Sequence, residues 1–334
     1  MSVPFRFKDI LLRDDDPKLS YSERSKKEGF YWGQRKLLID ELLFLTLAYK
    51  ENDTLIYAGA SPGHHISLFP ILFPGIKLIL YDPRESFLKD TENIKIYKSY
   101  FTYQDALKWS NTLDMKKVLF MSDIRSVDTE SAPTEEGEKE VIENMRNQES
   151  WYLILNPRSA LLKFRLPYPN PKNPNIPNSL VYLNGQIWKQ PWNRLSSTEC
   201  RLLPINGRKF WNAKDYEDQL FYFNSVVRPK ERFQSLELEK NIGPFFESAM
   251  ETWVLNLYIN KYPDILCEFD NMDPESYVCD EDKHTMIIDL SKYITNILTK
   301  ETGIRKTDIA SHYSIDQKGK RRVWGLQRGD IPFH

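Results

Sequence analysis

Residues 55–65 read LIYAGASPGHH, an apolar run broken by Gly59 and Gly63 with two histidines behind the second glycine. Two further apolar runs end in an acid: KLILYD stops at Asp82 and KKVLFMSD at Asp123. A glycine turn after a strand lets the backbone come close to a ligand, and carboxylates beside it accept hydrogen bonds from hydroxyls. The ligand is narrowed by what the turn lacks. A phosphate loop needs GxxxxGK followed by Ser or Thr, but His64 and His65 follow Gly63. A dinucleotide turn needs GxGxxG, and only two glycines, with Pro62 between them, stand here. What remains is a small ligand without phosphates, its ribose met by Asp82. S-adenosylmethionine answers that description, and a purely structural turn is the alternative.

These groups need a frame to hold them. GQRKLLIDELLFLTLAYKEN places Leu37, Leu38, Leu42, Leu45 and Ala48 on one stripe, which predicts a helix from Gly33. Strands are expected in 54–63, 77–84, 93–101, 116–125 and, for WYLILNP, 151–157. Helical segments are expected in 64–75, 102–113 and 135–150. Continuous apolar strands alternating with helices predict a parallel sheet buried on both faces. Ligands of such sheets bind beyond the carboxyl ends of the strands, where the strand order reverses. Gly59, Gly63, Asp82 and Asp123 all fall at such ends. Residues 1–32 read as irregular, 231–300 as helical, and 303–334, with KGKRRVWGLQR, as a flexible basic arm.

The 334 residues allow one large domain or two small ones. Cys200, Cys267 and Cys279 form no CxxC pair, which argues against a disulfide framework and a zinc knuckle. The charged N-terminus is no signal peptide and no apolar run is long enough to span a membrane, so a reducing cytoplasmic compartment is expected. Net charge is −1, so a nucleic-acid partner must be sought in the charge distribution. Residues 128–150 hold eight acids and two bases, whereas 151–230 hold twelve Lys/Arg and four acids. Phe164, Tyr168, Tyr182, Trp188 and Trp192 lie among those bases. That interleaving suits single-stranded nucleic acid, and equally a basic surface over core aromatics.

The run GQRKLLIDELLFL, IYAGASPGHHI, YDPR, LFMSDIRS, ILNPRSALLKFRLPYP, QPWNRLSSTECRLL, YEDQLFYFNSVVR resembles, in order and spacing over about 20–230, the poxvirus cap-specific mRNA 2′-O-methyltransferases. Members of that family also serve as the small stimulatory subunit of the viral poly(A) polymerase. The resemblance puts a catalytic Lys-Asp-Lys-Glu tetrad on Lys36, Asp123, Lys163 and Glu199. It puts S-adenosylmethionine against Gln34, Tyr57, Gly59, Gly63, Asp82, Arg84, Phe101 and Asp123, with Arg125 beside the methionine carboxylate. It puts an N7-methylguanine between Tyr21 and Tyr168, with Glu217 on the base edge; a cationic base on aromatic faces is favoured electrostatically. Two positions depart from the family: Asn170 stands for an acid and Ser196 for an aromatic, and Trp188 or Trp192 is left to substitute.

The tetrad has a physical task. A ribose 2′-hydroxyl is a poor nucleophile, so in-line alignment and a proton acceptor are needed. A lysine serves as base only if burial or nearby positive charge depresses its pKa. Lys163 is the expected base, with Lys36 supplying charge and the two acids orienting the amines. The expected fold is a Rossmann-like doubly wound α/β methyltransferase sheet over 33–230. A cap-contacting segment (1–32), a helical part (231–302) and the basic tail (303–334) are added to it. The expected activity converts cap 0 to cap 1 without a metal. The expected partners are capped mRNA and the catalytic subunit of a poly(A) polymerase, with no membrane. An RNA-binding processivity subunit is the alternative.

Overall fold

The computed structural model describes residues 2–20, 27–125, 134–169, 175–236, 238, 244–263, 280–302, 311–315 and 321–324. The chain opens with a helical turn, α1 (Phe7–Ile10), and strands β1 (Leu11–Leu12) and β2 (Lys27–Tyr31). Helix α2 (Gly33–Ala48) leads into β3 (Thr54–Ala58), the short α3 (Phe69–Leu72), β4 (Lys77–Tyr81) and β5 (Ile94–Tyr97). Then come α4 (Tyr103–Thr112), β6 (Val118–Ser122), α5 (Glu135–Leu155) and β7 (Ser159–Phe164). A long hairpin follows, β8 (Ser179–Lys189) and β9 (Cys200–Asn212), then α6 (Ala213–Tyr222) and a single turn, α7 (Arg228–Lys230). The chain continues with α8 (Phe246–Lys261), α9 (Asp280–Thr302), β10 (Ser311–Ile315) and β11 (Arg321–Trp324).

The main sheet runs β1-β8-β9-β7-β6-β3-β4-β5. Strands β7, β6, β3, β4 and β5 are parallel. Strand β9 is antiparallel to β7, β8 to β9, and β1 to β8. The chain steps outward from β3 to β5, returns through α4, and steps the other way from β6 to β7. Right-handed crossovers in opposite directions place α3 on one face and α4 with α5 on the other, which makes the sheet doubly wound. The order reverses between β3 and β6, and the crevice opens there. Helices α8 and α9 extend the α2 side: Tyr258 on α8 donates to the Leu72 carbonyl at 2.6 Å.

Five expectations change. Residues 151–157 are not a strand: α5 continues to Leu155 and stops at Asn156, whose φ of 44° is left-handed. Trp151 and Leu155, four apart, are buried while Leu153 is 54% exposed, which is a helical period. The sheet is not purely parallel, since β8 and β9 add an antiparallel hairpin. Phe164, Tyr182, Trp188 and Trp192 are core residues, so the basic segment does not offer them for stacking on bases. Residues 1–32 are only partly irregular, given α1, β1 and β2. Two stretches of the tail form sheet, β10 pairing with both β11 and β2. One buried apolar cluster runs from Phe5 through the sheet to Leu298, so α8 and α9 share the core of the sheet.

Candidate active site at the strand-order reversal

The two strand ends flanking the crevice are tied together: Asp123 donates its backbone N–H to the Ala58 carbonyl at 2.9 Å. Gly59 follows Ala58 with φ of 85°, and a Cβ there would lie 2.9 Å from the Asp123 carbonyl carbon. Only glycine allows this approach at that dihedral. Gly63, φ 81°, closes the turn, where a Cβ would meet the Ala60 carbonyl oxygen at 2.9 Å. At the end of β4, Asp82 is buried and fully engaged. It accepts from Ser61 N at 3.1 Å, from Arg84 N at 2.9 Å, and from Arg84 Nε and Nη2, both at 3.0 Å. The Arg84 side chain itself is 69% exposed.

Gln34, in the first turn of α2, reaches this turn: its Oε1 accepts from His65 N at 3.3 Å and lies 3.0 Å from His65 Nδ1. His65 Nε2 is 3.0 Å from Glu41 Oε2, and the Tyr57 hydroxyl donates to Glu41 Oε1 at 2.5 Å. Tyr57 is therefore buried with its hydroxyl turned into α2. Phe101 is likewise buried, packed on Tyr81, Phe120 and Trp151. Tyr57 is turned towards α2 and Phe101 towards Trp151 of α5.

The tetrad residues come from four elements and meet at one point. Lys36 lies on α2, Asp123 just beyond β6, Lys163 on β7, and Glu199 at the mouth of β9. Lys163 Nζ is 3.2 Å from Asp123 Oδ1 and 3.2 Å from Glu199 Oε2. Lys36 Nζ is 2.7 Å from Glu199 Oε1. One turn further along α2, Asp40 accepts from Gln190, and burial raises its carboxyl to about 7. Burial lowers the Lys163 amine below the ordinary lysine value; Arg125 and Lys36 act in the same direction, against Asp123 and Glu199. Burial would raise both acids, but Lys163 and Arg201 bring Asp123 down to about 2. Lys163 and Lys36 hold Glu199 well below the carboxylate range. Two anions thus fix an amine whose charged form is disfavoured.

Arg201 is a fifth member that sequence reasoning missed. It is fully buried, and its Nη1 lies 2.7 Å from Asp123 Oδ1. Residue Arg201 is the cross-strand partner of Lys163 in the antiparallel β7–β9 pair. No local pattern reveals such a register.

A second cluster adjoins the tetrad. Arg165, two residues after Lys163, makes paired 3.0 Å contacts to both oxygens of Glu138, and its guanidinium stacks 4.4 Å from the Tyr168 ring centroid. Glu138 also accepts from Tyr168 N at 2.8 Å. Thr198, next to Glu199, donates to the Tyr168 hydroxyl at 3.3 Å. Glu217 sits on α6, whose Tyr216 hydroxyl donates to the Thr198 carbonyl. Leu19 N donates to the Asp218 carbonyl at 3.0 Å, so the chain before Tyr21 runs along α6. Tyr21 and Asn170 themselves lie outside the described residues. Ser196 is exposed. Trp188 and Trp192 cannot replace a stacking ring: both are buried, and Trp192 Nε1 donates to Glu251 at 3.0 Å.

Among the described residues, no helix is long and apolar enough to cross a membrane. The fold is set by the strand order; comparison with known proteins adds the lineage. The chain is 30% identical over 253 residues to the fowlpox virus (strain NVSL) cap-specific mRNA (nucleoside-2′-O-)-methyltransferase, covering 69% of this chain and 78% of that one. It is 26% identical over 252 residues to the myxoma virus (strain Lausanne) protein of the same name, covering 68% and 71%. Bluetongue virus VP4, an RNA-capping protein, is a distant structural neighbour at 16% identity and a TM-score of 0.41. The match covers 62% of this chain and only 33% of VP4. Residues 1–272 match the model of the poly(A) polymerase regulatory subunit family, well past residue 230, where the motif resemblance stops. On the family match over residues 1–272, with a relative 30% identical over 69% of the chain, the chain belongs to the poly(A) polymerase regulatory subunit family.

Proposed function

We propose that the protein transfers a methyl group from S-adenosylmethionine to the ribose 2′-oxygen of the first transcribed nucleotide of capped mRNA. The observation that carries this reading is the Lys163 amine, held 3.2 Å from each of two carboxylates and depressed in basicity by burial. An amine so held can accept the hydroxyl proton while its two lone-pair-rich neighbours keep it aimed. Lys36 adds positive charge without competing for the proton, because Glu199 engages it. Arg201 keeps Asp123 ionised from behind.

The residues of the crevice fit the methyl donor. A turn with close backbone approach at Gly59, without a phosphate cradle, and a carboxylate at the end of β4 suit an uncharged ribose. Bound there, S-adenosylmethionine supplies an electrophilic methyl group. Gly59, Gly63 and Gln34 would bound its site, with Tyr57 and Phe101 buried nearby. Asp82 would accept the ribose hydroxyls once the exposed Arg84 side chain swings off its oxygens. Tyr168 and Glu217, with Tyr21, would hold the methylated guanine. No metal enters this chemistry.

The family description favours a second role, stimulation of a poly(A) polymerase catalytic subunit in the cytoplasm where a poxvirus-like enzyme would work. The two roles are separable. Capped and uncapped RNA would be incubated with S-adenosylmethionine labelled in its methyl group, then digested to nucleosides. Label on the first ribose of capped RNA alone supports the enzyme reading. Absence of transfer, with stimulated tail extension by a polymerase subunit, supports the second role alone.

A further inference from the structure

Arg125 is the one charged group beside the tetrad whose guanidinium has no hydrogen bond or ion pair to any described residue, although it is half-buried. Its position follows from strand register. In the parallel pair, Ser122 lies opposite Leu162, and the next residues, Asp123 and Lys163, meet at 3.2 Å. Arg125 and Arg165 each follow this facing pair by two residues, just beyond the ends of β6 and β7. Arg165 is already satisfied by Glu138 and stacked on Tyr168. The charges that act on Arg125 most are Glu199, Arg165, Asp123 and Glu138. Asp123 lies against Gly59, whereas Glu199, Arg165 and Glu138 lead from the tetrad towards Tyr168.

Two fixed points therefore bracket Arg125. On one side is the amine that meets the reacting ribose, and on the other the ring that meets the methylated guanine. In a capped RNA those two nucleosides are joined 5′ to 5′ by a triphosphate, so a polyanion must cross the interval. A guanidinium is suited to such oxygens, since its planar fork donates two parallel hydrogen bonds. A half-buried guanidinium without a partner is costly unless a ligand completes it. We propose that Arg125 binds the triphosphate bridge of the cap, and so sets the distance between the guanine slot and the reacting 2′-hydroxyl, instead of holding the methionine carboxylate of the cofactor. This rests on the cap-methyltransferase reading above.

The test is a ladder of ligands measured by calorimetry: N7-methylguanosine, N7-methylguanosine triphosphate, and the capped dinucleotide N7-methylguanosine-triphosphate-adenosine. Wild type is expected to gain about tenfold or more in affinity from the nucleoside to either phosphorylated ligand. Arg125→Ala is expected to lose most of that gain while binding the nucleoside and S-adenosylmethionine as wild type does. Arg125→Lys keeps the charge without the fork and should retain part of the gain. It also serves if the alanine variant proves unstable in a thermal melt. A gain that survives unchanged in both variants overturns the proposal. So does a loss of S-adenosylmethionine affinity with the phosphate gain intact, which would return Arg125 to the cofactor. Wild type that binds the nucleoside well but shows no gain overturns this proposal alone. Wild type that binds neither nucleoside nor capped dinucleotide overturns the cap reading and this proposal with it.

Discussion

Lys163 is poised by opposing influences, and their signs make a pH prediction. Burial, Arg125 and Lys36 lower its pKa, whereas Asp123 and Glu199 raise it. If the neutral amine is the base, the single-turnover rate rises with pH and levels off below the free-lysine value of about 10.4. Glu199→Gln removes an anion that favours the ammonium, so the inflection moves to lower pH even as the plateau falls. A pH–rate series on both proteins checks this, and an inflection that moves upward in the variant contradicts it. The tetrad itself was readable because each member sits in a short motif in family order. Arg201 was not readable, because its place opposite Lys163 is a matter of antiparallel register between distant strands. Glu138, fixing Tyr168 from thirty residues away, gave no local signal either.

At the scale of elements, the strands that build the crevice were legible for a physical reason. Strands β3, β4 and β6 are buried on both faces, so they read as unbroken apolar runs ending at a glycine or an acid. Hairpin β8–β9 was not legible: β9 contains Pro204, Gly207, Arg208 and Lys209, and much of it faces solvent. The run 151–157 misled because a short apolar stretch fits a buried strand and a buried helix end equally. Helix α2 carries an anchor next to Lys36. The fully buried Arg35 donates to Glu251 on α8 at 2.7 Å, to Thr295 at 2.6 Å and to Ser291 at 2.7 Å, and lies 4.3 Å from the Trp32 ring centroid. Removing one partner leaves a buried charge uncompensated, so Arg35→Met should cost about 3–5 kcal/mol in denaturant unfolding. The double variant Arg35→Met with Glu251→Leu should recover part of that loss. A double-variant loss equal to the sum of the two single losses would argue that the pair is not coupled.

The whole molecule does not divide where composition changes. Phe246, Leu255 and Tyr258 on α8, and Ile294 and Leu298 on α9, are fully buried and belong to the same apolar cluster as the sheet. Phe5 joins that cluster from the other end of the chain, edge-on to Phe233 and Phe246. Truncation after Lys230 would expose the outer side of α2, where Arg35 would face solvent or nothing. The expected outcome is loss of the cooperative thermal transition shown by the full chain. A truncated protein that melts cooperatively near the full-length temperature would instead make 33–230 an autonomous domain. The methyltransferase sheet and its C-terminal helices are thus one folding unit in this account, and the position of Lys36 depends on both.

The most direct measurement is single-turnover methyl transfer to capped RNA by Lys163→Met. Binding of S-adenosylmethionine and of capped RNA would be measured on the same samples. Near-normal binding and a transfer rate lower by about 10²–10⁴-fold are expected, the range for loss of a positioned general base. A variant that binds both substrates and still transfers methyl within a few-fold of the wild-type rate would contradict the assignment of Lys163 and, with it, the mechanism built on its two carboxylate partners.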